Sequence, residues 1–185
     1  GYLLLIVLVI LIAGGSFIQF GGIPTYPVEM TESLKTLSVP KDSATVERGQ
    51  RIAAMLCMKC HMGEDRQLSG KHIADLPKEF GKVYSKNITN DPIKGIGKWT
   101  DGQLVYFLKT GIKFDGTYSP PYMPKFPLMS DRDIQSIVAW LRSGKPEVQA
   151  SQVTQAANEP NFLVKFLCRV AMKPLPLQNT SQEPD

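Results

Sequence analysis

Cys57-Met58-Lys59-Cys60-His61 constrains this chain more than any other segment. Two cysteines followed directly by a histidine put two thiols and an imidazole on one face of a helical turn, because positions i, i+3 and i+4 are neighbours there. That arrangement suits covalent attachment of a haem, with both thiols bonded to the porphyrin edge and His61 turned toward the iron. A zinc site would need two further ligands, and only His72 and Cys168 remain to supply them. A thiol–disulfide redox pair expects a βαβ surround, and no strand pattern of useful length follows. The motif therefore predicts a chain that folds around a cofactor, not around side chains alone. With two of the three cysteines taken up, Cys168 has no partner for an intrachain disulfide.

The N-terminus carries a second strong signal. Residues Gly1 to Phe20 contain no charged side chain, and none appears before Glu29. About 20 apolar residues are what a helix needs to cross ~30 Å of hydrocarbon, so 1–20 reads as a transmembrane anchor in contact with membrane lipid. The absence of an initiating Met and of basic residues ahead of Tyr2 suggests that the true N-terminus lies upstream, which leaves the positive-inside rule without a flank to act on. Residues 21–43, with Gly21-Gly22, Pro24, Pro27 and Pro40, read as a linker holding the next unit off the membrane.

Residues 44–145 read as one haem domain of short helices and long loops. Apolar positions Val46, Ile52, Ala53 and Leu56 lead a first helix straight into the cysteines. Thr100 with Gln103 forms a capping-box pattern before Leu104, Phe107 and Leu108, with a stop at Gly111. Ser130 with Asp133 resembles another capping box, opening a helix with Ile134, Ile137, Val138 and Leu141 on one face and ending near Gly144. Between Gly63 and Lys98 no period is sustained. A loop of that length is acceptable where a porphyrin fills the interior.

For the second axial position, Ser119-Pro120-Pro121-Tyr122-Met123-Pro124 is the telling segment. Prolines on both sides restrict the backbone and leave the Met123 thioether little freedom. Met129 precedes a helix cap and reads as a packing residue, and Met62 adjoins His61. His72, between Lys71 and Ile73, reads as a surface histidine.

Taken together, Cys57-Met58-Lys59-Cys60-His61, Asn87-Ile88-Thr89-Asn90-Asp91, Gly95-Ile96-Gly97-Lys98-Trp99-Thr100, Tyr122-Met123-Pro124 and Ser130-Asp131-Arg132-Asp133-Ile134 resemble class I cytochromes c. More narrowly, the chain resembles the membrane-anchored monohaem cytochromes of bacterial electron-transport chains and the haem domains of multihaem dehydrogenase subunits. The resemblance implies an all-α cytochrome c fold around one covalent haem c, with His61 and Met123 as iron ligands. It also implies that Asn87 and Trp99 lie near the haem, that Gly95-Ile96-Gly97 lets the backbone approach it, and that the domain assembles on the periplasmic side of a bacterial inner membrane. One C-x-x-C-H where the dehydrogenase subunits have several counts against that branch, which stays as the alternative. Asn87-Ile88-Thr89 spells a glycosylation sequon, read here as coincidence.

A thioether ligand closes the coordination sphere, which suits one-electron transfer and leaves no open position for a substrate. The expectation is thus an electron-transfer protein and not an enzyme, with redox proteins as partners, expected to be subunits of a larger membrane complex. From Ala44 to Lys145 there are 16 Lys or Arg against 10 Asp or Glu, so this segment carries +6 while the whole chain carries +4. Lysines such as Lys59, Lys71, Lys109, Lys113 and Lys125 are candidates for steering an acidic partner. A haem and an anchor argue against nucleic acid. The tail 146–185 contains an amphipathic helix over 161–173, with Phe162, Leu163, Phe166, Leu167 and Val170 as its apolar face and Lys165, Arg169 and Lys173 as a basic stripe. Such a helix can lie on the membrane, dock on a partner or pack on its own domain; beyond Pro174-Leu175-Pro176 the chain reads as extended.

Overall fold

Asp42 starts the helix that carries the motif. Its carboxylate accepts from the Thr45 backbone N–H at 3.0 Å and from the Thr45 hydroxyl at 2.7 Å, the N-cap arrangement that acidic residues favour. In the computed structural model, which describes residues 1–177, this helix (α3, Ser43–Leu56) is the fourteen-residue entry to the haem-motif turn (α4, Met58–His61). Before them come α1 (Tyr2–Phe20) and the single turn α2 (Glu32–Lys35); after them come α5 (Asp101–Thr110), α6 (Asp131–Leu141) and α7 (Phe162–Val170). Short 3-10 turns cover Lys78–Phe80 and Pro146–Val148. The extended structure consists of isolated bridges and one antiparallel pair, β1 (Gly81–Lys82) with β2 (Glu159–Pro160), in register Gly81↔Pro160. The chain is helical in architecture, as expected. Residues 178–185, part of the stretch read as extended, lie outside the described residues.

The main core forms where α3 crosses α6. Val46, Gly49 and Ala53 are buried along one face of α3, against Ile134, Ile137, Val138 and Trp140, each at most 1% exposed. Gly49 sets how closely the two backbones approach: a Cβ there would sit 1.8 Å from the Ser136 carbonyl oxygen. Gly49→Ala should therefore force the helices apart, at about 1–3 kcal/mol typical of overpacking. The check is the midpoint of chemical denaturation, which should fall.

Around this pair the other elements are pinned by polar contacts. Thr100 and Gln103 form the reciprocal capping box expected for α5, and Gly111 ends the helix with φ at 82°, the left-handed conformation glycine tolerates best. Ser130 caps α6 through the Asp133 N–H at 3.1 Å, but the helix ends at Leu141, short of Gly144. There Arg142 turns its guanidinium back to the carbonyls of Ile96 and Trp99 and to Asp101. Lys109, 2% exposed, pairs with Asp131 at 2.6 Å and joins α5 to α6.

Segment 21–43 does not stand away from the domain. Tyr26 donates its N–H to the Gly116 carbonyl at 2.9 Å, Thr25 bridges Thr117, and Glu29 N–H reaches the Tyr106 hydroxyl at 3.1 Å. Further on, Val39 N–H donates to Asp101 at 3.0 Å, and α2 packs so tightly on α5 that a Cβ on Gly102 would meet the Leu34 carbonyl at 1.7 Å. The tail is likewise packed: Ser151 is buried and donates to Asp65 at 3.0 Å, while Asn158 bonds Tyr84 N–H and the Tyr122 hydroxyl.

α7 packs on the domain through residues outside its apolar stripe. Val164 and Cys168 are fully buried among Ile23, Tyr26, Phe80, Tyr118 and Tyr122, whereas Phe162, Leu163, Phe166 and Val170 are exposed. The small side chains fit between the tyrosine rings. The basic stripe is engaged too, since Lys165 donates to the Gln19 carbonyl at 2.9 Å and Arg169 to those of Gly21 and Gly22 at 2.7 and 3.0 Å. These are carbonyls at the end of α1, which have no partner within that helix.

Candidate haem site

The cysteine–histidine motif sits at a break between two helices. Cys57 closes α3 through its N–H to Ala53 at 2.8 Å, and its own carbonyl accepts from Cys60 N–H at 3.2 Å and His61 N–H at 2.9 Å. Cys57 and His61 thereby share one face. All three cysteines are free of disulfides. Cys57 is buried in the main core, and that burial, with Cys60 beside it, pushes its unmodified thiol up to about 11.

His61 is buried, and its Nδ1 lies 2.8 Å from the Lys86 carbonyl oxygen. A carbonyl only accepts, so the imidazole proton is on Nδ1 and the Nε2 lone pair is left for a metal. Burial lowers the imidazole pKa, against the pull of the Lys86 carbonyl, and keeps the ring neutral, as a ligand must be. These residues fit a covalently held haem. Around them the core presents a fringe of half-exposed apolar side chains, among them Met58, Ile88, Trp99, Phe107 and Met123, of the kind a porphyrin would cover.

Met123 thus packs against the same apolar cluster that contains Cys57. Its loop is held by its own N–H to Pro120 at 3.1 Å and by Lys125, whose ammonium donates to the Pro120 carbonyl at 2.8 Å and sits 4.9 Å from the centre of the Tyr118 ring. Burial brings Lys125 down to about 8 and takes Tyr118 up to about 12. Met62 and Met129 join the same cluster. His72 is exposed and lies beside Tyr84, with ring centres 5.0 Å apart.

The loop from Asn87 to Trp99 owes its shape to internal contacts. Asn87 is buried with its amide fully used: Oδ1 accepts from the Thr89 N–H and hydroxyl, and Nδ2 donates to the carbonyls of Ser151 and Val153. Its burial and these bonds leave no room for a sugar on the sequon. Asp91 accepts from the N–H groups of Ile93 and Lys94 and from Gln152, and these bonds, the Lys94 N–H first, hold its carboxyl below the usual range. Gly95 and Gly97 let the loop fold onto itself, because a Cβ on either would meet the Thr89 or Asn90 carbonyl within 2.3 Å. Trp99 packs edge-on to Phe107 and Phe114, at 5.7 and 4.9 Å between ring centres.

The lysine surface also needs correction. Lys59, Lys71, Lys78, Lys94 and Lys98 are exposed, but Lys109 is buried with Asp131 and Lys125 is folded into its loop, so neither is available to steer a partner. Helical periodicity could not have revealed this, since the Asp131 partner lies on a different helix.

Residues 44–141, more than half of the chain, match the family model described as cytochrome c oxidase, cbb3-type, subunit III. The chain belongs to this family of c-type cytochromes. The matched domain is one that carries haem c, in agreement with the motif. Among curated relatives, a nicotinate dehydrogenase subunit of Pseudomonas putida is 33% identical over 150 residues, covering 77% of the cytochrome and 12% of the relative. The cytochrome c subunit of the quinone alcohol dehydrogenase of Gluconobacter oxydans is 35% identical over 109 residues, 56% of the cytochrome and 22% of that subunit. The fructose dehydrogenase cytochrome subunit of Gluconobacter japonicus is 34% identical over 111 residues, with shares of 57% and 22%. The cytochrome therefore spans less than a quarter of the length of these three relatives.

Proposed function

We propose that the chain is a membrane-anchored monohaem cytochrome that passes single electrons between redox proteins as part of a larger membrane complex. Its units are the anchor 1–20, the connecting segment 21–43, the haem domain 44–145 and the tail 146–185. The observation that carries the reading is His61: buried, neutral, with Nδ1 committed to Lys86 and Nε2 free. Cys57 and Cys60 would hold the porphyrin edge, and Met123 would be the second ligand. Bound haem c supplies one-electron chemistry, with a methionine ligand raising its potential. The protein's part is to fix the imidazole, to hold the Met123 loop through Lys125 and Pro120, and to shield the site with apolar side chains. Asn87 and Trp99 shape the wall of the site: Asn87 orders the loop from behind, and Trp99 adds its ring to the aromatic group.

α1 is the one helix among the described residues long and apolar enough to cross a membrane, and none of its residues is buried. This supports a single-pass anchor in a bacterial inner membrane, with the haem domain on the periplasmic side. The relatives named as cytochrome subunits of dehydrogenases favour a second reading, in which this cytochrome accepts electrons from a periplasmic dehydrogenase. Both readings predict one haem per chain by pyridine haemochrome assay. They also predict a reduced spectrum that carbon monoxide leaves unchanged. Two haems, or a carbon monoxide complex in the native protein, would contradict a closed monohaem site.

A further inference from the structure

We infer that the exposed apolar face of α7 rests in the lipid bilayer beside the exit of α1, making α7 an interfacial helix and the haem domain a body seated on the membrane. The inference builds on the reading of α1 as a membrane span. With nineteen residues, α1 is about 28 Å long at 1.5 Å per residue, so all of it is needed for ~30 Å of hydrocarbon. Its last turn therefore lies at the membrane–water boundary. α7 is fastened to that turn: Lys165 reaches the Gln19 carbonyl, Arg169 those of Gly21 and Gly22, and the Arg169 guanidinium lies 4.8 Å from the centre of the Phe17 ring. The depth of α7 follows from these bonds.

At that depth α7 presents large apolar groups outward. Phe162 is 44%, Phe166 38% and Val170 53% exposed, with the two phenyl rings stacked 6.2 Å apart. Val164 and Cys168 are already buried against the domain, so α7 has used one side for its own fold and offers the other. On α1, whose end α7 is bonded to, Phe17 and Phe20 are 66% and 86% exposed as well. A helix with aromatic residues on one side and cations level with the headgroups has the composition of one that lies in the interface. Lipid that surrounds α1 thus covers the α7 face as well.

The test uses the full-length holoprotein in vesicles of phosphatidylethanolamine and phosphatidylglycerol. Cys57 and Cys60 would be bonded to haem and Cys168 is buried, so single nitroxide labels can be placed through Phe162→Cys, Phe166→Cys and Val170→Cys. Leu8→Cys reports on the span and Glu64→Cys on the aqueous surface. Folding of each variant is verified by its haem absorption, and three independent positions guard against the loss of one. The expected result is that labels at 162, 166 and 170 collide with oxygen and are shielded several-fold from an aqueous nickel chelate, as at position 8. If these three meet the chelate as freely as position 64 while position 8 stays shielded, the interfacial helix is overturned and the anchor stands. A face reserved for a protein partner would give that same aqueous result in vesicles holding this chain alone. A position 8 label open to the chelate would instead remove the anchor itself.

Discussion

Replacing both motif cysteines, Cys57→Ala with Cys60→Ala, should abolish all haem that survives denaturation. Each thiol would supply one covalent link, so either single variant should keep one. The double variant should keep the turn that presents His61, because the backbone carbonyl of Cys57, and not its sulfur, accepts from Cys60 and His61. Haem staining after denaturing electrophoresis, together with the intact mass of the chain, reads the outcome directly. Haem still attached to the double variant would defeat the assignment of the motif.

The second large effect concerns Met123, the proposed second ligand. Met123→His should keep the haem covalently bound and six-coordinate but lower its potential, by a substantial part of the ~0.8 V over which axial ligands set haem potentials. Met129→His, in the same apolar cluster, should leave the potential near that of the parent. Redox titration with optical detection distinguishes the two. An unchanged potential in the Met123 variant, or a large drop in the Met129 variant, would move the ligand away from Met123. Met123→Ala adds a readout of its own, since an opened position should now bind carbon monoxide.

Local patterns are legible in the sequence because their causes are local. The Thr100–Gln103 box and the Ser130 cap depend on residues three apart, and both stand in the structure as read. The haem motif is equally local, and the Asp42-capped helix delivers it. What was not legible depended on partners far along the chain. The apolar stripe of α7 follows from its own periodicity and is exposed, but which residues α7 buries on the domain is decided by Tyr26, Tyr118 and Tyr122, and the pocket they form takes Val164 and Cys168. Lys109 looks like a surface charge because nothing on its own helix marks Asp131 as its counterion. Proline and glycine give a similar composition to a free spacer and to a strap laid over a domain, so the docking of 21–43 onto Gly116, Thr117 and Asp101 is invisible before folding. The glycines of the Gly95–Gly97 loop are also required by carbonyl neighbours within the loop, a crowding that spacing alone does not announce.

That strap changes how the protein can look for its partners. A globule on a flexible leash explores a hemisphere and can offer any side to what it meets. Here the segment leaving α1 is bridged at Thr25, bonded at Tyr26 and Glu29, and backed by Arg169 on the last carbonyls of the helix. With α1 upright in a bilayer, height and tilt are fixed together, and the haem domain turns only as the anchor turns. Electron exchange would then reduce to a search over one angle about the membrane normal and two coordinates in the plane. Its rate should respond to the viscosity of the lipid and little to that of the water above it.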